Sequence, residues 1–111
     1  MFKGSFLIRN QKTGKYLSYV SGKWETSFTE KNLGETSEWF WTSIDGSKLF
    51  GSIHPKTNPK RALDIWRSSC KSGTCKVGAS FNNGNWNQQW RRFNGKIISR
   101  WVIKILKKKD T

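Results

Sequence analysis

At 111 residues the chain is long enough for one domain with a modest core and too short for two independent ones. Hydrophobic residues make up only 34%, but 7 tryptophans and 7 phenylalanines supply large apolar surfaces from few positions, which excludes a disordered chain. No stretch approaches the ~18 apolar residues of a membrane span, and a net charge of +14 directs attention to anionic neighbours instead.

Along the chain, short aromatic or β-branched runs recur, each closed by Gly, Asn, Asp or Ser. They read SFLIRN, KYLSYV, KWETSF, EWFWTSI, KLFGSI, ALDIW, KVGASF, QQWRRF, KIIS and WVIKIL. No window repeats apolar residues at helical spacing for three turns. Regular strands with turn residues between them predict an all-β barrel or sandwich. The opening MFKGSFLIRN lacks the apolar segment and small-residue cleavage site of a secretory signal, which leaves the compartment unassigned.

The chain repeats itself. FLIRNQKTGKYLSYV (6–20) aligns with GSIHPKTNPKRALDIW (51–66), matching Ile8 with Ile53, Lys12-Thr13 with Lys56-Thr57 and Leu17 with Leu63. Each unit then reaches a tryptophan strand, a turn and another apolar strand: SEWFWTSIDGSKLF in the first, NQQWRRFNGKIISR in the second. A unit of this size cannot bury its apolar face alone. The spacing divides the single domain into a first repeat at 5–46, a second at 47–94, a vestigial third at 95–106 and a basic tail at 107–111. Trp39, Trp90 and, by analogy, Trp101 are the expected core residues.

Charge follows the same division. Residues 1–50 carry 7 basic and 5 acidic side chains, whereas residues 51–111 carry 14 and 2. Such asymmetry fits a polyanionic partner, with a merely solubilising surface as the plainer account. The cysteines of CKSGTC, Cys70 and Cys75, are spaced for a local disulfide, which would place the protein outside the cytosol; two free thiols are the alternative. Neither they nor any His cluster complete a zinc site, and no metal or cofactor is expected.

ALDIW (62–66), a Gly-Thr turn at 73–74, Val77, and NQQW followed by GKI (87–97) stand in a fixed order over residues 52–98. This stretch resembles the repeat of the ricin B-chain-type lectins, whose hallmark is Q-x-W, here Gln88-Gln89-Trp90. Those lectins are β-trefoils of three four-stranded repeats, so the resemblance implies a β-trefoil, truncated in its third unit. The first repeat matches less closely: Ser18 stands at the place of Asp64, and Ser37-Glu38-Trp39 replaces Gln-x-Trp. Its GKYLS is also similar to fascin-like actin cross-linkers, which suggests a protein-contacting trefoil as a minor alternative.

A sugar needs an acceptor for paired hydroxyls, amides that both donate and accept, and an aromatic plane for its C–H face. The resemblance assigns the acceptor to Asp64, the hydroxyl-contacting amide to Asn87 and the supporting amide to Gln88. The family's stacking aromatic falls at Ser80, so Trp66, two residues beyond Asp64, or Trp86 is expected to supply the plane. Alternation puts Val77, Ala79 and Phe81 on one face, with Phe81 expected to point inward. Many family members carry a cysteine where this chain has Ala62, so their inter-strand disulfide is not expected here. The plainer account of Asp64 is a strand aspartate neutralised by Arg61 or Arg67.

The leading expectation is therefore a non-catalytic module that binds glycans or glycoconjugates through at most one site. The alternative is an anionic polymer, sulfated glycan or single-stranded nucleic acid, held by Arg61, Arg67, Lys76, Arg91 and Arg92 around the same pocket. Catalysis is not expected: His54 is the only histidine, Pro55 follows it, and no GxSxG, HExxH or P-loop pattern occurs. Two and a fraction repeats leave an open edge, which favours a homodimer or a last strand that patches the gap.

Overall fold

A computed structural model describes residues 4–20, 24–44, 46, 49–71 and 74–100, and of residues 67–71, 74 and 75 only the backbone. The short aromatic runs form nine strands among these residues: β1 (Phe6–Leu7), β2 (Tyr16–Tyr19), β3 (Thr26–Thr29), β4 (Glu38–Ser43), β5 (Phe50–Pro55), β6 (Arg61–Lys71), β7 (Thr74–Phe81), β8 (Trp90–Phe93) and β9 (Lys96–Ser99). Turn chemistry separates them. Between β8 and β9, Asn94 and Gly95 both take positive φ (51° and 73°), the two-residue hairpin geometry that matches strand twist.

The strands sort into one curled sheet of order β1-β4-β5-β8-β9 and two hairpins, β2–β3 and β6–β7. All pairings are antiparallel. Each repeat contributes its first and fourth strands to the sheet and its middle two to a hairpin. The described residues thus hold two four-strand units and the first strand of a third.

Register makes the repetition explicit. Trp39 pairs with Phe6 on one side and Pro55 on the other. Trp90 pairs with Gly51 and Ser99 in the same way. Superimposing the units on these pairs puts Ile8, Ile53 and Ile97 at one equivalent position. Ile53 is fully buried and the other two pack against the same core. Around them lie Leu17, Tyr19, Trp39, Leu63, Ile65, Ala79 and Trp90.

The two core tryptophans are tied alike. Trp39 Nε1 donates to the Leu17 carbonyl at 3.0 Å and Trp90 Nε1 donates to the Leu63 carbonyl at 2.8 Å. Each indole therefore fills the core and satisfies a buried acceptor that would otherwise destabilise it. The backbone repeats as well: Lys56 N–H donates to the Glu38 carbonyl at 3.0 Å, and Arg100 N–H to the Gln89 carbonyl at 2.9 Å.

Candidate functional site

The site is built on the hairpin β6–β7. Strand alternation sends Leu63, Ile65 and Ala79 into the core, where all three are buried. The opposite face carries Ala62 and Ser80 at the base, then Asp64 with its cross-strand partner Gly78, then Trp66 with Lys76 towards the tip. Asp64 is only 6% exposed, because that face is itself covered.

One cover is the single 3-10 turn Trp86–Gln88. Asparagines shape its approach: Asn83 Oδ1 accepts from the Asn85 N–H at 2.8 Å, a local side-chain turn. Gln88 anchors the turn to the hairpin. Its Oε1 accepts from the Asn83 N–H at 2.8 Å, and its Nε2 donates to the Phe81 carbonyl at 2.9 Å and to Asp64 Oδ2 at 3.2 Å. Asn87 Nδ2 donates to the other carboxylate oxygen, Oδ1, at 2.5 Å. Asp64, Asn87 and Gln88 are thus brought together across 23 and 24 residues of sequence.

No cation of the described residues pairs with that carboxylate; Lys56 and Glu38, at 3.3 Å, form the ion pair seen among them. Arg61 is otherwise engaged: its Nη1 donates to the Ala79 carbonyl at 2.8 Å and its guanidinium lies 4.6 Å from the Phe81 ring centre. The account in which Arg61 neutralises Asp64 is therefore set aside. An ionised carboxylate offers about four acceptor directions; two are taken by neutral amides. Asn87 is half-buried.

The equivalent place in the first repeat is closed. Ser18 Oγ meets Ser37 Oγ at 2.8 Å, both are buried, and Ser37 Oγ also accepts from the Leu33 N–H at 2.9 Å. Ser18 Oγ also meets Thr29 Oγ1 at 3.0 Å, so two buried hydroxyls tie the strand to its turn and to its partner strand there, with no carboxylate to receive a ligand. Of the two repeats described in full outline, the second has a carboxylate and two amides at this position.

The aromatics are arranged differently from expectation. Phe81 is 70% exposed, not inward. Alternation does place it on the core side of β7, but it pairs with Arg61 at the hairpin base, beyond the end of the core. Trp66 does stand on the Asp64 face and is 43% exposed, but its ring packs against Trp24, with centroids 4.2 Å apart and planes inclined at 30°. Trp86 is 41% exposed and has the Arg100 guanidinium 4.0 Å from its ring centre. Arg100 also reaches the Phe50 ring at 4.4 Å.

Trp24 is the residue that sequence reasoning missed. It enters from the first repeat, accepting the Ala79 N–H on its carbonyl at 2.6 Å, and lays its ring over Gly78. A Cβ on Gly78 would strike the indole and come within 2.7 Å of the Trp24 carbonyl oxygen. The available signal was Gly78 itself, a glycine inside a strand, which marks a close approach by another group.

The cations do not form one patch. Arg91 and Arg92 are adjacent in β8 and leave it on opposite sides, Arg91 towards Phe93 and Arg92 over Trp41 at 4.4 Å. Lys76 is exposed beside Trp66, and Arg61 sits at the far end of the hairpin. Of the five basic residues expected near the pocket, the four with described side chains, Arg61, Lys76, Arg91 and Arg92, are thus spread over different parts of the surface. The side chains of Arg67, Cys70 and Cys75, and Trp101 with the basic tail, lie outside the described residues.

His54 has a structural setting. It is 4% exposed; its Nδ1–H donates to the Arg61 carbonyl at 2.8 Å, so Nε2 accepts from the Thr42 and Ser52 hydroxyls, each at 2.7 Å. Burial pushes its pKa below the ordinary 6.5, partly opposed by the carbonyls of Arg61 and Pro59. No group of metal-ligating side chains occurs among the described residues, and no helix there is long and apolar enough to cross a membrane.

With this geometry in hand, comparison with known proteins identifies the fold. No family model and no curated protein matches the chain. Among solved structures, it is similar to a designed 3-fold symmetric protein, ThreeFoil, with a TM-score of 0.69 and 20% identity over 88% of this chain and 74% of that one. It is also similar to the GlcNAcα1-4Gal-releasing endo-β-galactosidase from Clostridium perfringens, with a TM-score of 0.62 and 23% identity over 90% of this chain and 25% of the enzyme. The protein is a β-trefoil in class, described here through two repeats and the opening strand of a third.

Proposed function

We propose that the chain is a non-catalytic carbohydrate-binding module of the ricin B-chain lectin type, with one site in its second repeat. The observation that carries this reading is the Asp64 carboxylate: buried, facing away from the core, and bonded on both oxygens by neutral amide donors rather than by a cation. Burying a carboxylate costs several kcal/mol unless it is well bonded, on the order of the penalty for a buried ion. A purely structural tie is made more simply by the two serines of the first repeat. The partly filled carboxylate and Asn87 together offer acceptors for adjacent hydroxyls, and Trp86 next to Asn87, whose ring also carries the Arg100 guanidinium, adds aromatic surface at 41% exposure. The fold likeness to a quarter of a glycan-cleaving enzyme is consistent with this reading. A module with one site gains avidity by self-association, and the edges of β1 and β9 each have a neighbour on one side only among the described strands, so we include a homodimer in the proposal.

The test is a glycan array at low and moderate salt, with Asp64→Asn and Asp64→Ala beside the wild type. Salt-insensitive binding of neutral glycans, reduced at least tenfold by either substitution, is expected. Wild-type binding by both variants would falsify the site. The second reading, polyanion binding, is favoured by Arg100 stacked between Phe50 and Trp86. It predicts steep loss with added salt and indifference to Asp64. Sedimentation at micromolar concentration decides the homodimer.

A further inference from the structure

The groove between the two hairpins has no assigned role. It is lined by Trp24, Glu25, Thr26, Phe28, Trp66 and Lys76 together with Val77, and encloses about 490 Å³, within the usual range for small-molecule sites. Its floor is aromatic and its rim polar. The Thr26 hydroxyl fixes one wall by donating to the Val77 carbonyl at 2.7 Å.

The groove lies on the same face of β6–β7 as Asp64. Trp24 covers Gly78, and Gly78 is the cross-strand partner of Asp64. Trp66 is the next residue outward on that face, about 7 Å further along the strand. Asn87 and Gln88 approach Asp64 from the opposite direction, since Gln88 is bound to the Phe81 carbonyl at the hairpin base. From base to tip the face therefore presents amides, carboxylate and a pair of tryptophans.

We propose that the Trp24–Trp66 pair is a second subsite for the ligand held at Asp64, and that the ligand is a neutral oligosaccharide of two or more units. This rests on the reading of Asp64 as a sugar acceptor. The first unit hydrogen-bonds to Asp64 and Asn87; the second lays its C–H face on the tilted indoles, with Glu25 and Lys76 at the rim for its outer hydroxyls. Ser80, which carries no ring at the base, explains the direction: the aromatic plane lies tipward of the carboxylate, in a part contributed by the other repeat. The opposite charges of Glu25 and Lys76 favour a neutral chain over an anionic one.

The test is calorimetric titration of the intact chain with two series: galactose, lactose and a galactose-containing trisaccharide, and N-acetylglucosamine, its β1-4 dimer and its trimer. The wild type is expected to bind the dimer or trimer of one series at least tenfold more tightly than the single sugar. Trp66→Ala, at an exposed position, should remove that gain, bringing the dimer-to-monomer affinity ratio down to about one. Trp24→Phe should keep most of the gain and Trp24→Ala should lose it, with circular dichroism confirming the fold of each. Asp64→Asn should weaken every sugar. If Asp64→Asn weakens binding but Trp66→Ala and Trp24→Ala leave the dimer-to-monomer ratio unchanged, the subsite is refuted while the Asp64 site stands. If Asp64→Asn changes nothing, or no sugar binds, both fail. Tryptophan quenching by an oligo-dT at low salt, abolished by Trp66→Ala while sugars have no effect, would overturn the subsite in favour of single-stranded nucleic acid.

Discussion

The hydroxyls of Ser18 and Ser37 meet at 2.8 Å where the second repeat joins Asp64 to Gln88. The two pairs serve one mechanical purpose, holding a hairpin strand to the turn before the tryptophan strand. They differ in chemistry, because the first is a pair of buried hydroxyls bonded to each other, to Thr29 and to the backbone, and the second holds a carboxylate.

The serine tie should therefore matter to stability alone. Ser37→Ala leaves the Leu33 N–H without its acceptor and should cost about 1–3 kcal/mol in urea denaturation. Combined with Ser18→Ala the losses should be less than additive, because the two side chains share one bond. Glycan binding should not change in either variant.

The paired indole bonds predict matched losses. Trp39→Phe and Trp90→Phe each strand a buried carbonyl, of Leu17 or Leu63, and each should cost about 1–3 kcal/mol beyond any packing loss. Similar shifts in the urea midpoint are expected; a large disparity would show that the two repeats do not carry their tryptophans equivalently.

His54 predicts a pH dependence of known sign. Its folded-state pKa lies below 6.5, so near and below that pH the unfolded chain binds a proton that the folded chain refuses. Stability should be full above about pH 7, fall as the pH drops through 6.5, and level off once the folded imidazole is protonated too. Urea midpoints measured from pH 8 to pH 4.5 should show this decline, and His54→Gln should remove that part of it.

Gly78 predicts a steric effect transmitted between repeats. Gly78→Ala places a methyl group against the Trp24 indole and carbonyl and should cost about 1–3 kcal/mol by overpacking. Trp24 fluorescence should shift towards that of a more exposed indole. An unchanged spectrum and stability would mean that the ring does not rest on the glycine.

Much of this was legible in the sequence, for definite reasons. Strand runs and turn residues are local signals, so the all-β architecture and the Asn94-Gly95 hairpin could be read directly. That Asp64, Asn87 and Gln88 lie together followed from the resemblance carried by the order of motifs around Gln88-Gln89-Trp90. Trp24 was not, because its position depends on how one hairpin docks against another, and no local pattern encodes that. Phe81 was misplaced for a related reason: alternation tells which side of a strand a residue takes, whereas the extent of the core along that strand is a tertiary property. The basic residues Arg91 and Arg92 are neighbours in sequence and for that same alternation are not neighbours on the surface.

Trp24 has a consequence for how such a protein can change over time. By sequence it belongs to the first repeat; by position it furnishes part of the surface of the second. The copies are therefore not interchangeable cassettes, because the second unit is finished by a piece of the first. A mutation at residue 24 would alter a face whose other residues belong to a different copy, so two stretches of chain that repeat one another are answerable to one another.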